Sequence, residues 1–273
     1  MNDKECPVCG ARGLVSFRPG MDRCPECGLA MAVHEYSGAP LYGPGREKAI
    51  YGSGKEVLFK RCLGRLARRF PARGRLLDVG SAYGDFMGMA KADGWNAEGI
   101  EIEPAMFRSA AAAGFNVHDR PIEELGLRKD SYEAVTVFEV LSLMEDPFKA
   151  VAEIYRVLKP GGMVCIREFN GAFHMALAGR RVFRALGLRP AVVHGFNFTD
   201  ESLRKMLLNA GFRHVRIENS PTTTGDPYGT GGRMGARLTG IVKFMYYCAA
   251  QVVYYASLGR VLSGSSLMVE AEK

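Results

Sequence analysis

Two groups of residues in this chain have the types and spacing to do chemistry. The first is the stretch 75–87, RLLDVGSAYGDFM. A short apolar run, Leu76-Leu77-Asp78-Val79, carries an acid, and the small residues of Gly80-Ser81-Ala82-Tyr83-Gly84 follow it. Asp85-Phe86-Met87 then opens a helix. A strand feeding a glycine turn and a helix makes a cradle for a nucleotide-like ligand. Glycine lets the backbone come close, and the helix start offers unpaired N–H groups. An ordinary strand-to-helix turn would read much the same on this stretch alone. The second group is a pair of C-P-x-C-G turns, Cys6-Pro7-Val8-Cys9-Gly10 and Cys24-Pro25-Glu26-Cys27-Gly28, with 14 residues between Cys9 and Cys24. Two residues between thiolates let both bind one ion from a tight turn, and two such turns complete a tetrahedral four-cysteine zinc site. Such a site is closed and structural, with no position left for a reacting water. Disulfides are the competing reading, disfavoured where no export signal precedes them.

A carboxylate placed about 20 residues beyond such a glycine turn, at the end of the next strand, can accept hydrogen bonds from ribose hydroxyls. Glu101 stands 17 residues past Gly84 and fits that place; Glu103 is its rival, beyond the strand end and beside Pro104. No G-x-G-x-x-G is present, and no basic residue is placed to grip a pyrophosphate. A nucleoside without phosphates is therefore favoured over a dinucleotide.

The surrounding elements must position these groups. Helices are expected at 55–70, 85–92, 104–113, 147–158 and 200–209, the last capped by Thr199-Asp200. Strands are expected at 76–79, 95–100, 115–118, 134–137, 163–167, 215–218 and 266–272. Lys159-Pro160-Gly161-Gly162 reads as a turn, and 121–127 as a loop or short helix. Strands alternating with helices imply an α/β fold with a doubly wound, mostly parallel sheet. The 273 residues divide into a zinc ribbon at 1–35, a Gly, Pro and Tyr-rich connector at 36–54 and one large domain at 55–273. Cys165 and Cys248, inside apolar elements, read as core residues. The arginines of 55–70 (Arg61, Arg65, Arg68, Arg69) read as a solvated face.

Taken together, RLLDVGSAYGDFM, GWNAEGIEIEP, SYEAVTVFEVLSLMEDP, EIYRVLKPGGMVCIREFN and FTDESLRKMLLNAGF resemble the class I S-adenosylmethionine-dependent methyltransferases over residues 75–273. The C-P-x-C-G pair resembles a subgroup of that family with an N-terminal zinc ribbon, associated with saccharides and other small metabolites. The resemblance implies a seven-stranded sheet whose last strand is antiparallel and inserts beside the fifth. It implies that Asp78, Gly80, Ser81, Ala82 and Gly84 line the methionine and ribose part of S-adenosylmethionine. Glu101 would hold the ribose and Ile102 would lie against the adenine. Pro121 and Ile122 would contact the adenine edge, mainly through the backbone, and Phe138 and Glu139 would lie beside the methionine moiety. The sequence departs from the family at Ala82, where glycine is usual, at Pro121-Ile122, and at Ser142-Leu143, where Glu-His is frequent. A general base is thereby missing.

Methyl transfer to a hydroxyl benefits from a base titrating near neutrality, which favours histidine. Of five histidines, His34 sits at the ribbon edge, and His118 and His214 lie beside short strands. His174 and His194 fall in the segment that forms the acceptor pocket in the family. His194, in VVHGFNFTDESL, is the catalytic candidate, with Asn170 a second residue to orient the acceptor.

Two segments near 171–198 and 225–262 are expected to cap the acceptor side. Residues 173–189 mix apolar residues with Arg180, Arg181, Arg184 and Arg189, and 241–258 are nearly apolar. A membrane span is rejected for 241–258, because the strand after it must return to the sheet. A peripheral contact with anionic membrane, a buried lid and a homodimer face remain open for this segment. The net charge of +7 suits an anionic partner but also an ordinary basic protein. Without a signal pattern at the N-terminus, a cytoplasmic location follows, with the inner face of the membrane a further option. The expected activity is methylation of a small-molecule acceptor, a hydroxyl of a saccharide or lipid-linked metabolite. RNA methylation is less favoured, since the ribbon offers only Phe17 as a stacking aromatic. A cofactor-binding scaffold without catalysis is a third reading.

Overall fold

The computed structural model describes residues 5–18, 20–33, 55–178, 195–223 and 232–273, with the side chains of 18, 178 and 232–239 left out. The chain begins with a three-stranded antiparallel ribbon, β1 (Val15–Arg18), β2 (Met21–Arg23) and β3 (Ala30–Ala32). Each C-P-x-C turn closes on its glycine: Gly10 N–H donates to Cys6 O (2.9 Å) and Gly28 N–H to Cys24 O (3.1 Å). Both glycines have φ near +70°, a conformation costly for other residues.

The large domain starts with α1 (Glu56–Arg69) and then alternates: β4 (Arg75–Val79), α2 (Asp85–Ala92), β5 (Asn96–Ile100), α3 (Pro104–Ala112), β6 (Val117–His118). A 3₁₀ turn at Ile122–Glu124 leads to β7 (Tyr132–Phe138), and another at Leu141–Leu143 leads to α4 (Pro147–Val157) and β8 (Leu158–Phe169). The chain continues with α5 (Gly171–Ala178), β9 (Phe196–Asn197), α6 (Asp200–Asn209), β10 (Arg213–Asn219), α7 (Gly232–Ala256) and β11 (Ser266–Glu272). The sheet has seven strands in the order β10-β11-β8-β7-β4-β5-β6. All neighbours from β8 to β6 are parallel, and β11 is antiparallel to both β8 and β10. Successive strands run outward from β4 to β6, and the chain then returns to β7 on the other side of β4. Ligands bind beyond the carboxyl ends of strands at such a reversal.

Sequence and structure differ at Lys159-Pro160-Gly161-Gly162, which lies inside β8 as an outward bulge rather than ahead of the strand. Tyr132 faces Leu158 and Ala134 faces Met163, so the bulge absorbs three extra residues. Lys273 secures it by donating its N–H to Gly162 O and accepting from Gly161 N–H.

The apolar face of α1 buries Leu58, Phe59, Cys62, Leu63 and Leu66 against the sheet. Arg68 is exposed as expected, but Arg61, Arg65 and Arg69 are engaged by carboxylates rather than forming a free solvated face. Arg61 and Arg65 pair with Glu218 (2.8 and 2.5 Å), Arg65 also with Glu270 (2.7 Å), and Arg69 with Glu272 (2.7 Å). Arginines four apart on the helix meet carboxylates two apart on β11 and one on β10, a match of the helical and strand periods. Replacing Arg65 with methionine leaves Glu270 without its cation. We expect a loss of about 2–3 kcal/mol, measured by denaturant unfolding.

The ribbon is bonded to the large domain. β9 adds to β3 as a fourth strand, with Ala30 facing Asn197 and Met31 facing Phe196. Thr199 Oγ1 donates to Cys27 O (2.6 Å), and Asn209 Nδ2 to Val8 O (2.6 Å). Cys6, Cys24 and Leu29 share one core cluster with Phe198, Leu203 and Met206. α7 lies over β10, where Asn219 Nδ2 donates to Ala250 O (3.1 Å). Much of α7 faces outward, and Cys248, expected in the core, is exposed.

Candidate active site

The turn between β4 and α2 is held open by three left-handed residues, Gly80 (φ +77°), Ala82 (φ +48°) and Gly84 (φ +86°). A Cβ at Gly80 would stand 2.2 Å from Val140 Cγ2, and one at Gly84 2.6 Å from the Phe115 ring. Glycine is thus required at both by sterics as well as by φ. Ala82 is the exception, an L-residue in a conformation of order 1 kcal/mol above its normal one. Its N–H is held by Glu101 Oε2 at 2.8 Å. Gly80 and Ser81 N–H both donate to Ile100 O (2.8 and 2.9 Å), tying the turn to the end of β5. Ser81 Oγ is buried without a hydrogen-bond partner.

Glu101 is buried at the end of β5. Its other oxygen accepts from Glu103 N–H at 2.8 Å. Burial raises its pKa first, and the N–H groups of Glu103 and Ala82 pull it back. Beside it the Ile102 side chain is 61% exposed, a large apolar surface next to the turn. Glu103 instead caps α3, accepting from Ala105 N–H. Asp78 is buried under the turn, accepts from Thr136 Oγ1 (2.7 Å), and is pushed up to about 7 by burial.

Next to these lies a set of charges at the ends of β7 and β8. Glu139 has φ +62°. It pairs with Arg167 and, at 2.8 Å, with Lys55 Nζ, from the residue just before α1. Arg167 also donates to Ser220 Oγ (2.8 Å). Glu168 is fully buried and accepts from Ser142 Oγ (3.0 Å), Ser142 N–H (3.2 Å) and Phe169 N–H (2.8 Å). Burial, and then the Arg167 cation, bring the Lys55 ammonium down to about 7, against the pull of Asp78, Glu168 and Asp85. With all five ionised, Asp78, Glu139 and Glu168 face Lys55 and Arg167, a formal charge of −1 in a buried space.

Lys55 was not among the residues singled out from the sequence, yet a signal was present. It stands four residues before Phe59, on the same side of the helix as the buried Phe59, Cys62 and Leu66. A lysine in register with an apolar stripe needs a buried counter-charge. The Phe59, Phe86 and Phe138 rings, with centroids 4.9–5.2 Å apart, fix α1, α2 and β7 around that position.

The other expected site residues divide. Phe138 is at the end of β7, but its ring belongs to that aromatic cluster, so only its backbone borders the site. Ile122 points into the core, with Pro121 half-buried ahead of it. Asn170 is buried and its amide is consumed, donating to Leu262 O (3.1 Å) and Gly264 O (2.9 Å). It is a structural tie, not an acceptor-orienting group. His174 Nε2 bonds Ser265 O (2.9 Å), His118 lies 3.8 Å from Glu98, and His214 is exposed on β10. His34, His194 and the connector at 36–54 lie outside the described residues.

The four cysteines of the ribbon bring their sulfur atoms within 4.8 Å of one another. Cys6 and Cys27 sulfurs are 3.6 Å apart, and Cys9 and Cys24 sulfurs 3.5 Å. A disulfide needs about 2.05 Å. Four thiolates at ~2.3 Å from a tetrahedral zinc stand ~3.8 Å apart, close to what is seen. The cluster is consistent with a zinc site.

Residues 54–217, more than half of the chain, match the family model described as a methyltransferase domain. The chain belongs to that family of methyltransferase domains. It is 32% identical over 169 residues to a demethylmenaquinone methyltransferase of Thermus thermophilus, covering 53% of this chain and 76% of that one. It is 28% identical over 114 residues to a ubiquinone/menaquinone biosynthesis C-methyltransferase of Geotalea daltonii, covering 37% of this chain and about half (48%) of that relative's length. Among solved structures, an S-adenosylmethionine-dependent methyltransferase of Archaeoglobus fulgidus superposes with a TM-score of 0.53 at 22% identity, over 83% of this chain and 97% of that one. At that identity the likeness concerns the fold.

Proposed function

We propose that the protein transfers a methyl group from S-adenosylmethionine to a hydroxyl of a small metabolite, saccharide or lipid-linked. The observation that carries this reading is the glycine turn bracketed by buried Asp78 and Glu101 at the reversal of strand order. The residues fit the cofactor. Ser81 Oγ awaits a partner, Glu101 closes the end of β5 with Ile102 exposed beside it, and buried carboxylates outnumber the Lys55 and Arg167 cations, which suits a ligand carrying positive charge. When bound, the cofactor supplies a methyl group on a sulfonium sulfur.

On this reading Glu101 accepts from the ribose hydroxyls and Ile102 covers one face of the adenine, with Pro121 and Ile122 lending backbone at its edge. Gly80, Ser81, Ala82 and Gly84 let the backbone approach, and Asp78 and Glu139 supply negative charge beside the methionine moiety, bordered by the Phe138 backbone. Lys55, now paired with Glu139, would face the methionine carboxylate, and His194 would take the proton of the acceptor hydroxyl, the cofactor supplying the methyl group. The chain's task is to align these atoms and exclude water.

The ribbon at 1–35 holds a structural zinc ion through Cys6, Cys9, Cys24 and Cys27, and the domain at 55–273 acts in the cytoplasm. The relatives named for quinone biosynthesis favour a small-molecule acceptor over RNA. So does α1, whose Arg61, Arg65 and Arg69 are engaged by carboxylates instead of being free to grip phosphates. Labelled S-adenosylmethionine, offered in parallel with polyprenyl phenols, saccharides and RNA, tests the reading. Label is expected in the first or second pool; label in RNA alone contradicts it.

Asp78 and Lys55 add a pH signature. Binding needs Asp78 ionised, which is fulfilled above about 7, and Lys55 protonated, which is fulfilled below about 7. Cofactor affinity is therefore expected to peak near pH 7 and to fall up to about tenfold per pH unit on either side. Calorimetric titration across pH 5.5–8.5 checks this. Lys55→Met should flatten the alkaline limb and Asp78→Asn the acid limb, at reduced affinity.

A further inference from the structure

We propose that α7 docks the protein on the surface of an anionic lipid bilayer, lying in the interface without crossing it. The inference does not depend on the identity of the acceptor. α7 has 25 residues, and its outward side is apolar: Ile241, Val242, Met245, Val252 and Tyr255, with Leu258 just beyond, are between 57% and 84% exposed. At 100° per residue, the exposed positions of the described part of the helix span about 200° of the circumference. Soluble surfaces seldom show a contiguous apolar face of this size without a partner.

Charge selects the occupant. From residue 227 to residue 269 the sequence contains no aspartate or glutamate, while it holds Arg233, Arg237, Lys243 and Arg260. Arg260 is exposed just past the helix, and the Arg216 side chain is 64% exposed beside it on β10. A cavity of about 330 Å³ opens where the C-terminal half of α7 meets Arg61 and Arg216, lined also by Tyr254, Tyr255 and Leu258. Glu218 in its wall is shared by Arg61, Arg216 and, from behind, Arg65, which also pairs with Glu270. The apolar face therefore continues into a region of net positive charge.

A second copy of the chain fits this face poorly. A two-fold interface would set a segment with four cations and no acid against itself. The apolar arc is also wider than the narrow seam that a pair of helices buries. A bilayer with anionic headgroups answers both features, since apolar side chains enter the acyl boundary while arginine and tyrosine stay among headgroups. No helix among the described residues is long and apolar enough to cross a membrane.

Flotation of the full-length protein with unilamellar vesicles tests the proposal. Binding is expected to vesicles of phosphatidylcholine and phosphatidylglycerol at low salt, and to fall at high salt as headgroup charge is screened. Vesicles of phosphatidylcholine alone should bind at least about tenfold less. The double substitution Met245→Asp/Val252→Asp, at exposed positions, should reduce binding at least about tenfold with an unchanged melting temperature, and Arg260→Glu should weaken it in the same direction. Failure to float with the anionic vesicles overturns the proposal. Equal binding of the double variant does so too, as does a solution dimer that the double substitution splits into monomers.

Discussion

Glu101→Ala is expected to weaken binding of S-adenosylmethionine by roughly a hundredfold or more, while the protein remains folded. Two hydrogen bonds to a charged acceptor contribute about 1.5–3 kcal/mol each. Losing both ribose contacts therefore outweighs the relief of no longer burying a carboxylate. The same oxygens hold Ala82 and Glu103 N–H, so the substitution also releases the strained residue of the turn. Glu101→Gln separates the two roles. It keeps one oxygen for Ala82 N–H but cannot accept at both positions, and an intermediate loss is expected. Isothermal titration with S-adenosylhomocysteine gives the affinities, and thermal melting of the free proteins verifies the fold. A normal affinity for Glu101→Ala would remove the carboxylate from the site.

Cys24→Ser is expected to take the metal content from about one zinc per chain to none and to lower the melting temperature by about 10 °C or more. Structural zinc in small modules contributes on the order of 10 kcal/mol of folding free energy, and 1 kcal/mol shifts a domain of this size by a few degrees. Cys24 is fully buried and shares its core cluster with Leu29, Phe198 and Leu203. Loss of the ion should therefore loosen the joint made by β9, Thr199 and Asn209 as well as the ribbon. Elemental analysis and protease sensitivity of the β3–β9 joint are the measurements. A Cys24→Ser protein that retains zinc and melts normally contradicts the account.

What the sequence made legible follows from locality. Asp78, the glycine turn and Glu101 lie on consecutive elements, and strand–turn–helix grammar places an acid at the end of a strand without knowledge of the rest. The cysteine turns are legible for the same reason, each being complete within five residues. Lys55 was hidden because its counter-charges, Glu139 and Asp78, come from strands far along the chain. The arginines of α1 looked solvated for a related reason, since their carboxylates stand more than 150 residues away. Asn170 looked functional at the end of a strand, although its amide fastens the loop at Leu262 and Gly264. Cys248 was misplaced because a helix apolar on most sides normally lies inside a protein, and here much of it faces outward. The ribbon's fourth strand, two residues at Phe196 and Asn197, is too short to carry a period.

The central claim is that the turn from Gly80 to Gly84, with Glu101, holds S-adenosylmethionine by its ribose. A crystal structure with S-adenosylhomocysteine tests it most directly. The account predicts both ribose hydroxyls within about 3 Å of the Glu101 carboxylate, the adenine against Ile102, and the carboxylate end toward Lys55. Ribose on Glu103, or a ligand bound away from the carboxyl ends of β4 and β5, would contradict it.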